Sequence, residues 1–352
     1  MPTRVLFDSS FGTRFILTVD TEEEFEWGGD FARDQHGLAS VPALAEGQRF
    51  FEGAGVSPCY FVDAPIAASD TAVAILRPAL ESGKAEVGVH LHPWVTAPFD
   101  EALNSRNSYA GNLPAATERA KLETMTQLFA DRFGSAPRAY RAGRYGIGPN
   151  TLGMLDELGY AIDSSLRSQF DYRADGGPDF RKSSLRAHWT GPRRAMLELP
   201  LTSVFVGPAA KYGAPIYHGL GSLPTARALL ARTGLLQRVP LTPEGVPARL
   251  ACQAIDVAME IGLPVLNLSF HSPSLAIGHT PYVRDASDLA ALYAWFDQVF
   301  NHCAKRSIAA ATPESVYEAA VLTRAACHAA TPSAIASPTG GACSSAVRAG
   351  RS

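Results

Sequence analysis

The sequence predicts a single α/β domain built as a (β/α) barrel. Three observations carry this: a β-then-α rhythm of about eight units, enough apolar residues for one large core, and chemistry-bearing side chains gathered at strand ends. The rhythm comes from short apolar runs at 15–19, 59–62, 87–91, 139–141, 160–163, 196–199, 265–270 and 308–311, each read as a strand. Longer patterns at 115–133, 243–261 and 286–304 read as helices between them. Two stretches break the rhythm, 94–114 and 168–191. Both are rich in Asn, Asp, Gly, Pro or Arg and longer than ordinary connections, so both are expected to roof a site.

Of the 352 residues, 46% are hydrophobic and 18% charged, which supports a large buried core and excludes global disorder. The barrel is expected over residues 1–321. From Leu322 to Ser352 the chain turns to Ala, Ser, Thr, Pro and Gly without apolar periodicity, the composition of a disordered tail. A formal charge of −3 gives no reason to expect nucleic acid or an anionic membrane as partner, and a neutral or small polar substrate fits better. No leader-like segment opens the chain and no apolar run reaches membrane-spanning length, so a soluble cytoplasmic protein is expected. Cys59, Cys252, Cys303, Cys327 and Cys343 are scattered and form no close pair, which indicates neither a disulfide framework nor a thiolate metal site.

The first strand, Arg14-Phe-Ile-Leu-Thr-Val-Asp-Thr-Glu-Glu-Glu24, has a period of two that puts Ile16, Thr18, Asp20 and Glu22 on one face. Two carboxylates therefore leave its end together, placed to hold a metal or to abstract a proton. In Glu86-Val-Gly-Val-His-Leu-His92, residues Val87, Val89 and Leu91 face the helices and send His90 and His92 the other way, a natural pair of metal ligands. In Val265-Leu-Asn-Leu-Ser-Phe-His271 the same alternation turns Asn267, Ser269 and His271 inward. Tyr140-Arg-Ala-Gly-Arg-Tyr-Gly146 ends another strand with Arg141, Arg144 and Tyr145 beside glycines that free backbone amides to approach a ligand. Asp163 gives a further strand-end carboxylate. Taken singly, each has an ordinary alternative: an acidic loop, a core histidine, a turn with surface arginines, or a helix cap.

In this order the segments resemble the five motifs of the polysaccharide deacetylase family, carbohydrate esterase family four, over roughly residues 15–315. The five are Thr18-Val-Asp-Thr-Glu-Glu, Glu86-Val-Gly-Val-His-Leu-His, Tyr140-Arg-Ala-Gly-Arg-Tyr-Gly, Ile162-Asp-Ser-Ser and Leu268-Ser-Phe-His. The likeness is greatest to a branch associated with lipopolysaccharide biosynthesis. It implies a distorted barrel and a divalent metal, zinc first, and removal of an N-acyl group, acetyl first, from a sugar or glycan precursor. It also implies Asp20 as base, His271 as general acid, Arg141 orienting Asp20, and Asp163 tuning His271. The metal would take His90, a second histidine and an acidic residue after Asp20.

Two departures from the family pattern shape the assignment. Thr21 replaces the usual second aspartate, so Glu22 becomes the expected ligand, with Glu23 a substitute. Trp94 stands where a second histidine is usual, so His92 must serve or the metal site is incomplete. Trp94, Phe99 and Tyr109 are expected to stack on sugar rings, and Arg144 and Tyr145 to bind substrate. Two rival readings stay open: a catalytically dead barrel that binds glycan or metal, and a hydrolase of a non-sugar amide such as a cyclic ureide.

Overall fold

The computed structural model describes residues 3–25, 29, 31–221 and 223–329. Its strands are β1 (Thr3–Arg4), β2 (Arg14–Thr21), β3 (Cys59–Val62), β4 (Glu86–Leu91), β5 (Ala139–Ala142) and β6 (Ile162–Asp163). They continue with β7 (His188–Thr190), β8 (Met196–Glu198), β9 (Ser203–Val206), β10 (Gln237–Pro240), β11 (Val265–His271) and β12 (Ala309–Ala310). One curled sheet runs β1-β7-β8-β6-β5-β4-β3-β2-β11, parallel from β8 to β11, with β12 paired to the start of β2. β9 and β10 form a separate antiparallel hairpin.

The barrel is distorted because its closure is irregular. Between β8 and β11 the link is a few bonds: the Thr202 amide donates to the Asn267 carbonyl (3.2 Å) and the Ser269 amide to the Leu241 carbonyl (3.0 Å). Helices at Ala115–Phe133, Ala248–Glu260 and Ala286–Lys305 cover the outside, matching the expected helices except that the second is shorter. Among the described residues, no helix is long and apolar enough to cross a membrane.

Alternation along the strands separates packing from chemistry. Phe15, Leu17 and Val19 of β2 face outward with Val87, Val89, Leu91, Leu266, Leu268 and Phe270, and join one core with Phe51, Phe129 and Phe296 of the helices. The inward residues form layers that change character along the axis. Ile16, Cys59, Phe61, Ala139 and Val265 make an apolar floor. Above it Thr18, Arg141, Ser164 and Asn267 share hydrogen bonds, and at the strand ends stand Asp20, His90 and His271. The register sets Asp20 beside His271 and His90 beside Arg141.

Two expectations change here. A helix, Pro313–Ala329, runs through the start of the expected tail, and it buries Val316 and Ala320 against the barrel floor. The tail thus begins no earlier than residue 330, and 330–352, with Cys343, lie outside the described residues. Strand β7 lies inside the stretch read as loop 168–191. Cys59, Cys252 and Cys303 are free thiols.

Candidate active site

Strand ends bring Glu22, His90 and His92 together. The Glu22 Oε2 atom lies 3.6 Å from His90 Nε2 and 3.5 Å from His92 Nε2, and all three side chains are buried. The far side of each imidazole is fixed. His90 Nδ1 lies 3.1 Å from the Arg141 carbonyl, which can only accept, so that nitrogen carries the proton and Nε2 presents a lone pair. His92 Nδ1 meets Glu23 Oε2 at 2.9 Å in the same sense. Three acceptor atoms thus face one another with no donor between them, and Glu22 Oε1 is buried without a hydrogen-bond partner. A cation resolves that conflict. Ligand atoms about 2.0–2.2 Å from one tetrahedral ion stand roughly 3.3–3.6 Å apart, which is the separation of the Glu22 and histidine atoms. The residues present therefore fit a divalent ion held by two nitrogens and one carboxylate.

Local structure explains the convergence. A Cβ at Gly143 would stand 2.3 Å from His92 Cδ2 and 2.6 Å from the Leu91 carbonyl, so only glycine leaves room for the His92 ring. Trp94 stacks on the other face of that ring (4.2 Å, 23°) and donates its indole N–H to Glu23 Oε1 at 2.7 Å. Glu23 in turn is placed by its own amide, which donates to Asp63 Oδ2 at 2.7 Å. After β5 the backbone turns through Arg144 and Tyr145, both left-handed (φ 52° and 61°), a strained pair at the cavity edge.

Beside the tripod stand an acid and a base with opposed charges. Arg141, fully buried, bonds Asp20 Oδ1, Thr18 Oγ1 (2.9 Å), Ser164 Oγ (2.8 Å) and the Ser164 carbonyl (2.9 Å), which uses every edge of the guanidinium. Burial alone would raise the Asp20 pKa, but the charges of Arg141, His90 and His271 outweigh it and hold the carboxyl at about 2. His271 Nε2 lies 3.8 Å from Asp20 Oδ2. Its Nδ1 meets Glu244 Oε2 at 2.7 Å, and its amide donates to Glu244 Oε1 at 3.1 Å. Burial pulls His271 down, yet Glu244, Glu22 and Asp20 together lift it to about 10. Without an ion, burial pushes Glu22 up to about 7 and brings His92 down to about 4. A cavity of about 370 Å³ opens over these groups, within the usual size of small-molecule sites.

No protein-family model matches the sequence, and no curated protein matches it. Solved structures do. A Mycobacterium smegmatis protein assigned as a polysaccharide deacetylase superposes with TM-score 0.52 at 18% identity, covering 96% of this chain and 99% of that one. A Pseudomonas aeruginosa PAO1 protein assigned the same way superposes with TM-score 0.50 at 12% identity, covering 88% and 91%. The chain has the polysaccharide deacetylase fold. At these identities the likeness concerns the fold, and the chemistry rests on the geometry above.

On that fold, most residues singled out from the sequence come together. Asp20, Glu22, His90, His92, Trp94, Arg144, Tyr145 and His271 line one cavity, and Arg141 lies beneath Asp20. Glu22 faces the two histidine Nε2 atoms, whereas Glu23 points away and orients His92. Asp163 is a correction. Its carboxylate accepts from Ser165 Oγ at 2.5 Å and lies against Glu198, away from the cavity lining, while Glu244 holds His271. Trp94 also changes role: its ring is spent on His92, Phe25 and Phe31, so it supports the site more than it offers a sugar platform. Phe99 packs under Arg33 and Lys121 outside the cavity, whereas Tyr109 lines it. Glu244 falls inside the helix expected at 243–261, but the helix begins at Ala248, and the Pro-Glu-Gly245 turn before it carries Glu244 to the end of β11.

Proposed function

We propose that this protein is a divalent-metal-dependent hydrolase that removes an N-acyl group, acetyl in the simplest case, from a sugar or glycan precursor. The observation that carries the reading is the convergence, in one cavity, of the Glu22/His90/His92 tripod with an ionised Asp20 and a carboxylate-held His271. Zinc suits a donor set of two imidazoles and a carboxylate with a position left for substrate. Its contribution is Lewis-acid polarisation of the acyl carbonyl and a lowered pKa for the attacking water.

The chain's own residues supply the rest. Asp20 Oδ1 is bound by Arg141, which leaves Oδ2 to take the proton of the attacking water. His271 Nε2 gives a proton to the departing nitrogen as the C–N bond breaks, because an amine anion is too basic to leave unaided. Glu244 on Nδ1 keeps that proton available. The left-handed turn at Arg144 and Tyr145 offers backbone amides to the developing oxyanion. The products are a carboxylate and a free amino sugar. The motif resemblance favours a step in surface-glycan synthesis, of which lipopolysaccharide is the example.

The test is protein stripped of metal, reconstituted with Zn²⁺, Co²⁺ or Mn²⁺, and assayed for acetate released from a panel of N-acetyl sugars. Release that depends on added metal is expected. Metal binding without release from any sugar would favour a non-catalytic barrel, and cleavage of a cyclic ureide alone would favour the other amide hydrolase reading.

A further inference from the structure

The proposed cavity contains two arginines whose surroundings differ. Arg144 bonds Ser108 Oγ and has Asp175 at 3.9 Å, so its charge has a local counterpart. Arg167 has none. Its one side-chain hydrogen bond goes to the Tyr172 hydroxyl at 3.0 Å, Nε is buried without a partner, and no carboxylate lies within ion-pair distance among the described residues. The guanidinium is clamped between the rings of Tyr145 (5.0 Å) and Phe170 (4.2 Å), which fixes it at the cavity wall without neutralising it.

A second cation deepens the imbalance. Arg238 stacks on Phe170 at 3.5 Å, and it too has no ion pair among the described residues. Two guanidiniums therefore share one ring, and Glu244, a carboxylate whose charge reaches Arg167, is already committed to His271 and Ser274. The surrounding sequence agrees: from Leu199 to Pro243 there is no Asp or Glu, while Lys211, Arg227, Arg232 and Arg238 are all basic. Like charges held together in a partly dry place are unfavourable unless an anion joins them. A guanidinium with free edges matches the planar, two-oxygen face of a carboxylate or phosphate.

Resting on the deacylase reading, we propose that the cavity selects sugars that carry an anionic substituent, a carboxylate or a phosphate, and that Arg167 is the residue that binds it. The overall charge of the chain, slightly negative, points toward a neutral substrate; the local charge at this wall points the other way, and the substrate meets the local one.

The experiment is calorimetric binding of three probes to the metal-loaded protein: N-acetylglucosamine, N-acetylglucosamine 1-phosphate and 2-acetamido-2-deoxyglucuronic acid. Acetate release from each is measured alongside. At least one anionic probe is expected to bind about 10- to 100-fold more tightly than the neutral sugar, the range of a hydrogen bond to a charged group. Whichever anion is preferred separates phosphate from carboxylate. In Arg167→Gln that selectivity ratio is expected to fall toward one, while Arg167→Lys keeps part of it, and unchanged thermal unfolding of the Lys variant excludes a collapsed clamp. Equal affinity for neutral and anionic probes, no binding of either anion, or selectivity that survives both substitutions overturns the proposal. Acetate release without anion preference would defeat this inference and leave the deacylase reading standing, and anion binding through Arg167 without acetate release would do the reverse.

Discussion

At the residue scale, the site works by giving chemically similar groups different surroundings. Asp20 and Glu22 stand two residues apart, yet the charge of Arg141 keeps one ionised while burial raises the pKa of the other. Asp20→Asn keeps size and shape but cannot take a proton, so bound metal is expected to persist while turnover falls by ~10²-fold or more. Metal analysis beside steady-state rates checks this, and normal turnover would move the base to another carboxylate. Trp94→Ala removes the stack on His92 and the bond to Glu23, so its effect belongs to the metal. We expect affinity for the ion to drop about 10- to 100-fold, the usual cost of losing a partner that orients a ligand. A raised KM at saturating metal would instead make the indole a sugar platform. Glu244→Gln bears on pH. With Glu244 in place, His271 is lifted to about 10; without it the largest of the influences that oppose burial is gone and the pKa falls. The alkaline limb of kcat/KM is therefore expected to move to lower pH, and an unmoved limb would assign it to a different group. Asp20, Glu22, His90 and His271 were legible in the sequence because a period of two at a strand end fixes direction. Glu244 was not, since it lies 27 residues before His271 on a loop that only the folded chain brings to it.

At the element scale, all eight strands expected from apolar runs are present, three of them shortened, to Ile162–Asp163, Met196–Glu198 and Ala309–Ala310. The missed strands have physical reasons. β1 has two exposed residues, β7 pairs antiparallel inside a polar stretch, and β10 reads Gln-Arg-Val-Pro, with charge and proline masking an edge. β9, Ser-Val-Phe-Val, pairs only with β10, outside the repeating β-then-α pattern that revealed the others. The terminal helix was lost for a different reason: alanine-rich sequence shows little periodicity although Val316 and Ala320 are buried. Removing 330–352 is expected to leave the melting temperature unchanged, because that stretch has no apolar face to bury. Removing 313–352 also uncovers the barrel floor and breaks the paired bonds of Arg138 to Glu314, and is expected to lower the melting temperature by several degrees or abolish soluble expression. Equal stability of the two truncations would mean that the helix contributes nothing to the floor.

At the scale of the whole molecule, a parallel sheet directs its strand ends to one side, and the gradient from apolar floor to charged rim concentrates every group with strong chemistry there. The same architecture explains what one-dimensional reading captures. Alternation gives the inward face and strand order gives the rim, but contacts across the cavity, such as Glu244 to His271, depend on loops whose path the sequence leaves open. If Glu22, His90 and His92 form the metal site, a second buried group, Glu23, Asp63 and His92, is its natural competitor. Anomalous diffraction from crystals grown with Zn²⁺ decides between them most directly. One strong peak is expected about 2.0–2.2 Å from Glu22 Oε2, His90 Nε2 and His92 Nε2. A peak bound through His92 Nδ1 with Glu23 and Asp63, or no peak in the cavity at all, would contradict it.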